Sequence, residues 1–178
     1  MWSAPLGLVR RVLCLGAHSD DIEIGTGGTL LKLVGQAADL EIWWVVFSAP
    51  GSRAEEASRS ADEFLSSVSH KQVKIGSFRE SYFPSEWPVI KEWFEEIKAK
   101  IDPDVVFTHY RHDRHQDHRV LSDLAWNTFR NHLILEYEIL KYDGDLGQPN
   151  VFIPLSEEIA SRKVDLLLKH FRTQSTKH

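Results

Sequence analysis

The chain has 178 residues, enough for one well-cored domain and too few for two large ones. Hydrophobic residues make up 42% and charged residues 26%, and the formal net charge of −5 excludes a broad nucleic-acid surface. The one cysteine, Cys14, lies in an apolar run and cannot form an internal disulfide. With no secretory leader pattern over residues 1–15 and no apolar run long enough to span a bilayer, the expectation is a soluble, cytoplasmic protein.

The first predicted strand is the apolar run 12–15, which stops at Gly16 and empties into a polar cluster of His18, Asp20, Asp21 and Glu23. Gly25, Gly27 and Gly28 follow. A helix is expected over 26–38, with Leu30, Leu31, Leu33 and Val34 at helical spacing. Residues 40–47 (L-E-I-W-W-V-V-F) read as a strand buried on both faces, the mark of a parallel sheet. A loop with Pro50 and Gly51 leads to a helix over 53–67, a short strand over 73–75 and an aromatic loop over 76–88.

The clearest amphipathic helix spans 87–101, with Ile90, Trp93, Phe94, Ile97 and Ile101 in one stripe, and Asp102-Pro103 ends it. A fourth strand, 105–107, leads into H-Y-R-H-D-R-H-Q-D-H at 109–118, and a helix starts near Asp117. A fifth strand is expected over 133–140, a short sixth over 151–153, and a last helix over 156–171 with Ser156 as N-cap. This alternation predicts one domain over 1–178, a doubly wound, mostly parallel α/β sheet in a three-layer sandwich. In the common strand orders the first and fourth strands are neighbours at the switch point, so their polar clusters can share one crevice.

Those clusters have the composition of a hydrolytic metal site. Three ligands drawn from His, Asp and Glu leave one position of a zinc ion open, and His18, Asp21 and His118 supply such a set. Ferrous iron accepts the same ligands. Asp20 then lies beside the site as a general base, and His115, as imidazolium, stabilises an oxyanion and later protonates the leaving amine. His109 and His112 read as structural or as supporting groups. Asp117 is either the N-cap of its helix or the carboxylate that orients His115, and Asp113 has the same orienting option. G-T-G-G at 25–28 is either close helix packing or a weak phosphate-binding turn. Arg53 is either a contact for a substrate hydroxyl or phosphate or a solvated first-turn residue, and Glu80 is a candidate for sugar hydroxyls.

A-H-S-D-D-I-E-I-G-T-G-G-T-L at 17–30, R-A-E-E-A at 53–57 and H-Q-D-H-R at 115–119 together resemble the PIG-L/LmbE-like zinc-dependent N-deacetylases. The resemblance runs in order through nearly the whole chain. It implies a Rossmann-like fold and hydrolysis of an N-acetyl group from an amino sugar of N-acetylglucosamine type, with His18, Asp21 and His118 as zinc ligands. Asp20 would be the base, His115 the partner of the oxyanion with Asp117 tuning it, and Arg53 a sugar contact. Related enzymes often form oligomers, so a homo-oligomer is also implied. Ser19 stands where the family has proline. Related chains usually continue past the point where this one stops at His178, so a further C-terminal segment is expected in the family pattern. The competing reading is a non-catalytic binder of nucleotides or sugar nucleotides that uses the glycine turn; it predicts no stoichiometric metal.

Overall fold

A computed structural model describes residues 6–37 and 39–174. Five strands form one sheet: β1 (Arg11–Gly16), β2 (Glu41–Val46), β3 (His70–Ile75), β4 (Val105–His109) and β5 (Leu133–Tyr137). The order is β3-β2-β1-β4-β5 and every pairing is parallel. β1, β2 and β4 are buried along almost their whole length, which is why their sequences show no polar alternation.

Side chains of each strand alternate between two cores. Val12, Cys14, Ile42, Trp44 and Val46 face one side, and Leu13, Leu15, Trp43, Val45 and Val106 the other. The first core is covered by α2 (Gly27–Gln36), α3 (Arg53–Phe64) and α6 (Glu157–His170). The second is covered by α4 (Trp87–Lys98) and α5 (Gln116–Thr128). The predicted stripe of α4 seals its side, with Ile90, Phe94 and Ile97 fully buried. The result is the expected three-layer sandwich.

Two details differ from the sequence reading. The helix expected over 26–38 is two: a short α1 (Asp21–Gly25) and α2, separated at Thr26 by a backbone of φ −129°, ψ 0°. Ala38 lies outside the described residues, as do residues 1–5 of the leader argument. The strand expected over 151–153 does not form. Pro149 and Pro154 bracket it and lack N–H donors, and a cavity of about 850 Å³ stands between this segment and β5. No described helix is long and apolar enough to cross a membrane.

β1 and β4 pair through Val12–Val105, Leu13–Val106 and Cys14–Phe107. The strands on either side of this pair were laid down in opposite directions along the sequence, so no helix covers the gap at their C-terminal ends. Both histidine-bearing turns open into that gap.

Candidate metal centre

β1 ends at Gly16, and the backbone N–H of His18 donates to Asp21 Oδ2 at 2.7 Å, which folds the turn back on the first residue of α1. Across the crevice, His115 is the N-cap of α5: its Nδ1 accepts from the Asp117 N–H at 3.2 Å. His118 lies one turn further on, buried against β4.

Three atoms converge. His18 Nδ1 is 3.2 Å from His118 Nε2 and 3.3 Å from Asp21 Oδ2, and His118 Nε2 is 3.5 Å from Asp21 Oδ2. Neighbouring ligands of a tetrahedral ion with bonds of about 2.0–2.1 Å are separated by about 3.3–3.4 Å. The triangle therefore has the size of one face of a zinc coordination shell, and two imidazoles with one carboxylate suit zinc or ferrous iron.

The opposite ring nitrogens are also engaged. His18 Nε2 is 3.1 Å from Asp117 Oδ2, and His118 Nδ1 is 2.9 Å from Asp113 Oδ2. A carboxylate behind each imidazole fixes the ring and puts the proton on the far nitrogen, leaving the near one to ligate.

This corrects the expectations for Asp117. It is not the N-cap, because His115 fills that place, and the hydrogen bonds of its carboxylate go elsewhere, while its charge still acts to raise the pKa of His115. Instead it holds His18 and accepts two backbone N–H groups, from Ser81 at 2.6 Å and Phe83 at 3.1 Å. Ser81 takes φ +68°, the left-handed region, as the loop turns back to present those donors.

Burial alone depresses the pKa of His18, but Asp21 and Asp117 outweigh it and raise the value to about 10. His118 is likewise lowered by burial and then lifted to about 8 by Asp21 and Asp113. Burial pushes the Asp21 carboxyl up, yet His118, His109 and His18 hold it well below the usual carboxylate range. His115 moves the other way, lowered by burial and by the positive charge of His118 and His18. Both effects favour the neutral imidazole over the expected imidazolium. With Nδ1 accepting from the backbone, its proton sits on Nε2. A ring nitrogen of His115 lies within 4.8 Å of ring nitrogens of both His18 and His118.

His109 is fully buried and supports the turn: its Nε2 accepts the Ala17 N–H at 3.0 Å and lies 3.3 Å from Asp21 Oδ2. Burial lowers its pKa to about 4, so it is neutral. Its nitrogen also groups with Asp21 and His118, but the Ala17 N–H already occupies the lone pair. His112 is exposed, packed edge-on to Tyr110. Asp20 is partly exposed at the start of α1, directly beside Asp21.

Arg53 and Glu80, read separately from the sequence, form one pair: Arg53 Nη1 donates to Glu80 Oε2 at 3.0 Å. Glu80 adjoins Ser81, which ties the pair through Asp117 to His18. The three glycines are packing positions. An added Cβ would sit 2.0 Å from the Tyr137 ring at Gly25, 2.9 Å from Phe64 at Gly27 and 2.4 Å from Leu155 at Gly28. Side chains fill the space that a phosphate-binding turn would leave open, which disfavours the nucleotide-binding reading.

Two contributors escaped the sequence reading. Tyr137 closes the floor by donating to Leu15 O at 2.6 Å, 3.3 Å from His109 Nε2. Lys141 places Nζ 2.9 Å from Asp113 Oδ1. The 850 Å³ cavity beside β5 contains none of His18, Asp21, His115 or His118, so cavity size does not locate the chemistry here.

Comparison with known proteins gives the family and the fold. The family model for PIG-L, described as GlcNAc-PI de-N-acetylase, matches residues 13–129. An Escherichia coli K12 relative described as the uncharacterized deacetylase YaiS is 30% identical over 174 residues, covering 90% of both chains. Three solved deacetylases share the fold. The N,N'-diacetylchitobiose deacetylase of Pyrococcus horikoshii has a TM-score of 0.65 at 20% identity, covering 93% of this chain and 71% of that one. The A40926 pseudoaglycone deacetylase Dbv21 has 0.72 at 17%, covering 93% and 83%. The zinc-inhibited form of teicoplanin deacetylase Orf2 has 0.71 at 15%, covering 90% and 83%. The family match, the relative and the strand order together establish that the chain belongs to the PIG-L/LmbE-like deacetylase family.

Proposed function

We propose that this protein is a metal-dependent hydrolase that removes an N-acetyl group from an amino sugar, with Asp20 as general base. The observation that carries this reading is the triangle of His18 Nδ1, Asp21 Oδ2 and His118 Nε2, with sides of 3.2–3.5 Å and a carboxylate behind each imidazole.

His18, Asp21 and His118 would hold a divalent ion, which would supply Lewis acidity for the acetyl carbonyl and for a water molecule. Asp20 accepts the proton of the attacking water and later passes it to the leaving amine. The neutral His115 presents its Nε2–H to the oxygen that gains charge as the amide carbon becomes tetrahedral. Asp117 and Asp113 keep the His18 and His118 rings fixed throughout. Arg53 and Glu80 pre-form a donor–acceptor pair suited to adjacent sugar hydroxyls. A reducing, cytoplasmic setting fits the lone buried Cys14.

The substrate class rests on the family description and on the diacetylchitobiose named for one structural neighbour. The test is metal analysis of purified protein, combined with acetate release over a panel of N-acetylated sugars and conjugates. Asp20→Ala should keep its bound ion and lose about 10²–10⁴-fold in turnover. His118→Ala should lose both ion and turnover. Wild-type rates in both variants would overturn the assignment.

A further inference from the structure

We propose that Lys141 is a positioning residue of this centre, holding Asp113 against His118 from the loop that follows β5. The proposal rests on the metal-centre reading above and assigns to it a residue nearly thirty positions away from the carboxylate it serves.

Past Ile139, which is buried in the first core, the loop after β5 has an inverted pattern. Leu140, Tyr142 and Leu146 point outward, 77%, 92% and 52% exposed. The charged residues point inward, with the side chains of Lys141 and Asp145 only 18% and 5% exposed. Beyond Ile139, polar contacts rather than apolar side chains fasten this stretch to the domain.

Those contacts converge on the start of α5. Lys141 Nζ lies 2.6 Å from Asp145 Oδ2 and 2.9 Å from Asp113 Oδ1. Asp145 Oδ2 also accepts the Arg114 N–H at 2.7 Å, and Asp113 Oδ1 accepts the His115 N–H at 2.7 Å. Asp113 Oδ2 is left to face His118 Nδ1 at 2.9 Å. One ammonium thus joins two carboxylates, and each carboxylate clamps a successive backbone N–H of the segment that carries His115 and leads to His118.

An exposed ion pair of this kind would matter little. Here the carboxylates of Asp113 and Asp145 are almost entirely buried, 3% and 5% exposed. Removing the ammonium leaves two like charges facing the gap it filled, with no compensating water shell. Asp113 relieves the repulsion by turning about its side chain, and the oxygen that moves is the one aimed at His118. The loop loses its inward fastening in the same event. Lys141 acts on the centre through the two carboxylates it joins, and Asp113 is the one that meets a ligand imidazole.

The test is zinc affinity, measured by competition with a chromophoric chelator, alongside melting of the zinc-free protein. Lys141→Met should weaken zinc binding about tenfold, the lower end of the range for groups that support a ligand. Lys141→Arg, which restores a cation of similar reach, should return affinity to within about threefold of wild type. In an Asp113→Asn background, Lys141→Met should cost less than about twofold further, because the path it acts through is already broken.

Should Lys141→Met not fold, Lys141→Gln keeps most of the stem and one donor group and is read the same way. Unchanged zinc affinity in folded Lys141→Met or Lys141→Gln overturns the proposal, as do losses that multiply fully with Asp113→Asn. Wild-type protein that takes up no zinc stoichiometrically overturns instead the metal-centre reading beneath it.

Discussion

Asp113→Asn is the sharpest test of how the imidazoles are held. Asp113 Oδ1 accepts from the His115 N–H and from Lys141, at 2.7 and 2.9 Å, and Oδ2 faces His118 Nδ1 at 2.9 Å. An asparagine can be seated in two ways. With its oxygen in the Oδ1 place, its amide group donates to His118 Nδ1, and the imidazole proton is driven to Nε2, the atom that should ligate. With its oxygen in the Oδ2 place, its amide group meets two donors, and each buried donor left unpaired costs about 1–3 kcal/mol. Neither seating preserves both contacts. Zinc affinity should fall about 10- to 100-fold, or about 1.4–2.7 kcal/mol. Competition against a chelator at neutral pH measures the loss, and circular dichroism of the zinc-free variant checks that it is folded. A folded variant that binds zinc within about threefold of wild type would refute the claim that Asp113 fixes the His118 tautomer.

Two further predictions concern the scaffold. Gly25→Ala places a methyl carbon 2.0 Å from the Tyr137 ring, which is wedged under β1 by its bond to Leu15 O; thermal melting should show a loss of about 1–3 kcal/mol or more. A melting temperature equal to wild type would mean that the ring can move aside. Asp104 Oδ2 accepts the backbone N–H groups of Arg10 and Arg11, both at 2.8 Å, and Oδ1 meets Arg11 Nη2 at 3.2 Å. Burial works to raise its pKa, but these donors outweigh burial and lower it. A lowered folded pKa means stability that is present above the unfolded value near 3.9 and lost as pH falls through the folded one. Asp104→Asn should therefore cost about 1–2 kcal/mol at pH 7, and denaturant titrations should show the gap from wild type closing as the pH drops below about 4. A pH-independent gap would refute the charge argument.

The parallel sheet was readable because residues 12–15, 42–47 and 105–107 are apolar at every position, and only strands covered on both faces need that. Helix ends were less legible. Thr26 interrupts a periodic run because backbone geometry, not side-chain pattern, separates α1 from α2. The segment 151–153 has the composition of a strand, but strand formation depends on a partner, and the cavity beside β5 keeps that partner away.

The ligand set was legible for a related reason. His18 and Asp21 lie three apart in one turn, and His118 follows the strand that pairs with β1, so strand order alone brings them together. The supporting contacts were not legible. Asp117 sits two residues from His115, and sequence proximity suggested that pairing; the helix directs its carboxylate toward His18 instead, 99 positions away. Lys141 carries no local signal at all, because its partner Asp113 lies on the far side of α5 and β5 in the sequence.

The charges of the site explain why these distant partners are needed. Asp21, Asp113 and Asp117 are all nearly buried and all held in the ionised form. Buried carboxylates at this density require positive charge close by. His18 and His118 provide it as long as they keep their protons, which is why both imidazoles are raised above the ordinary value of about 6.5. A metal ion asks for the lone pairs those protons occupy, and it brings replacement charge to the same point. Protons and ion thus compete for one set of atoms, so ion affinity must rise with pH as the imidazoles give up their protons. Lys141 differs from both histidines in that its charge faces Asp113 from outside the triangle. It stays in place whichever occupant the triangle holds, so Asp113 remains compensated while His118 exchanges a proton for a metal bond.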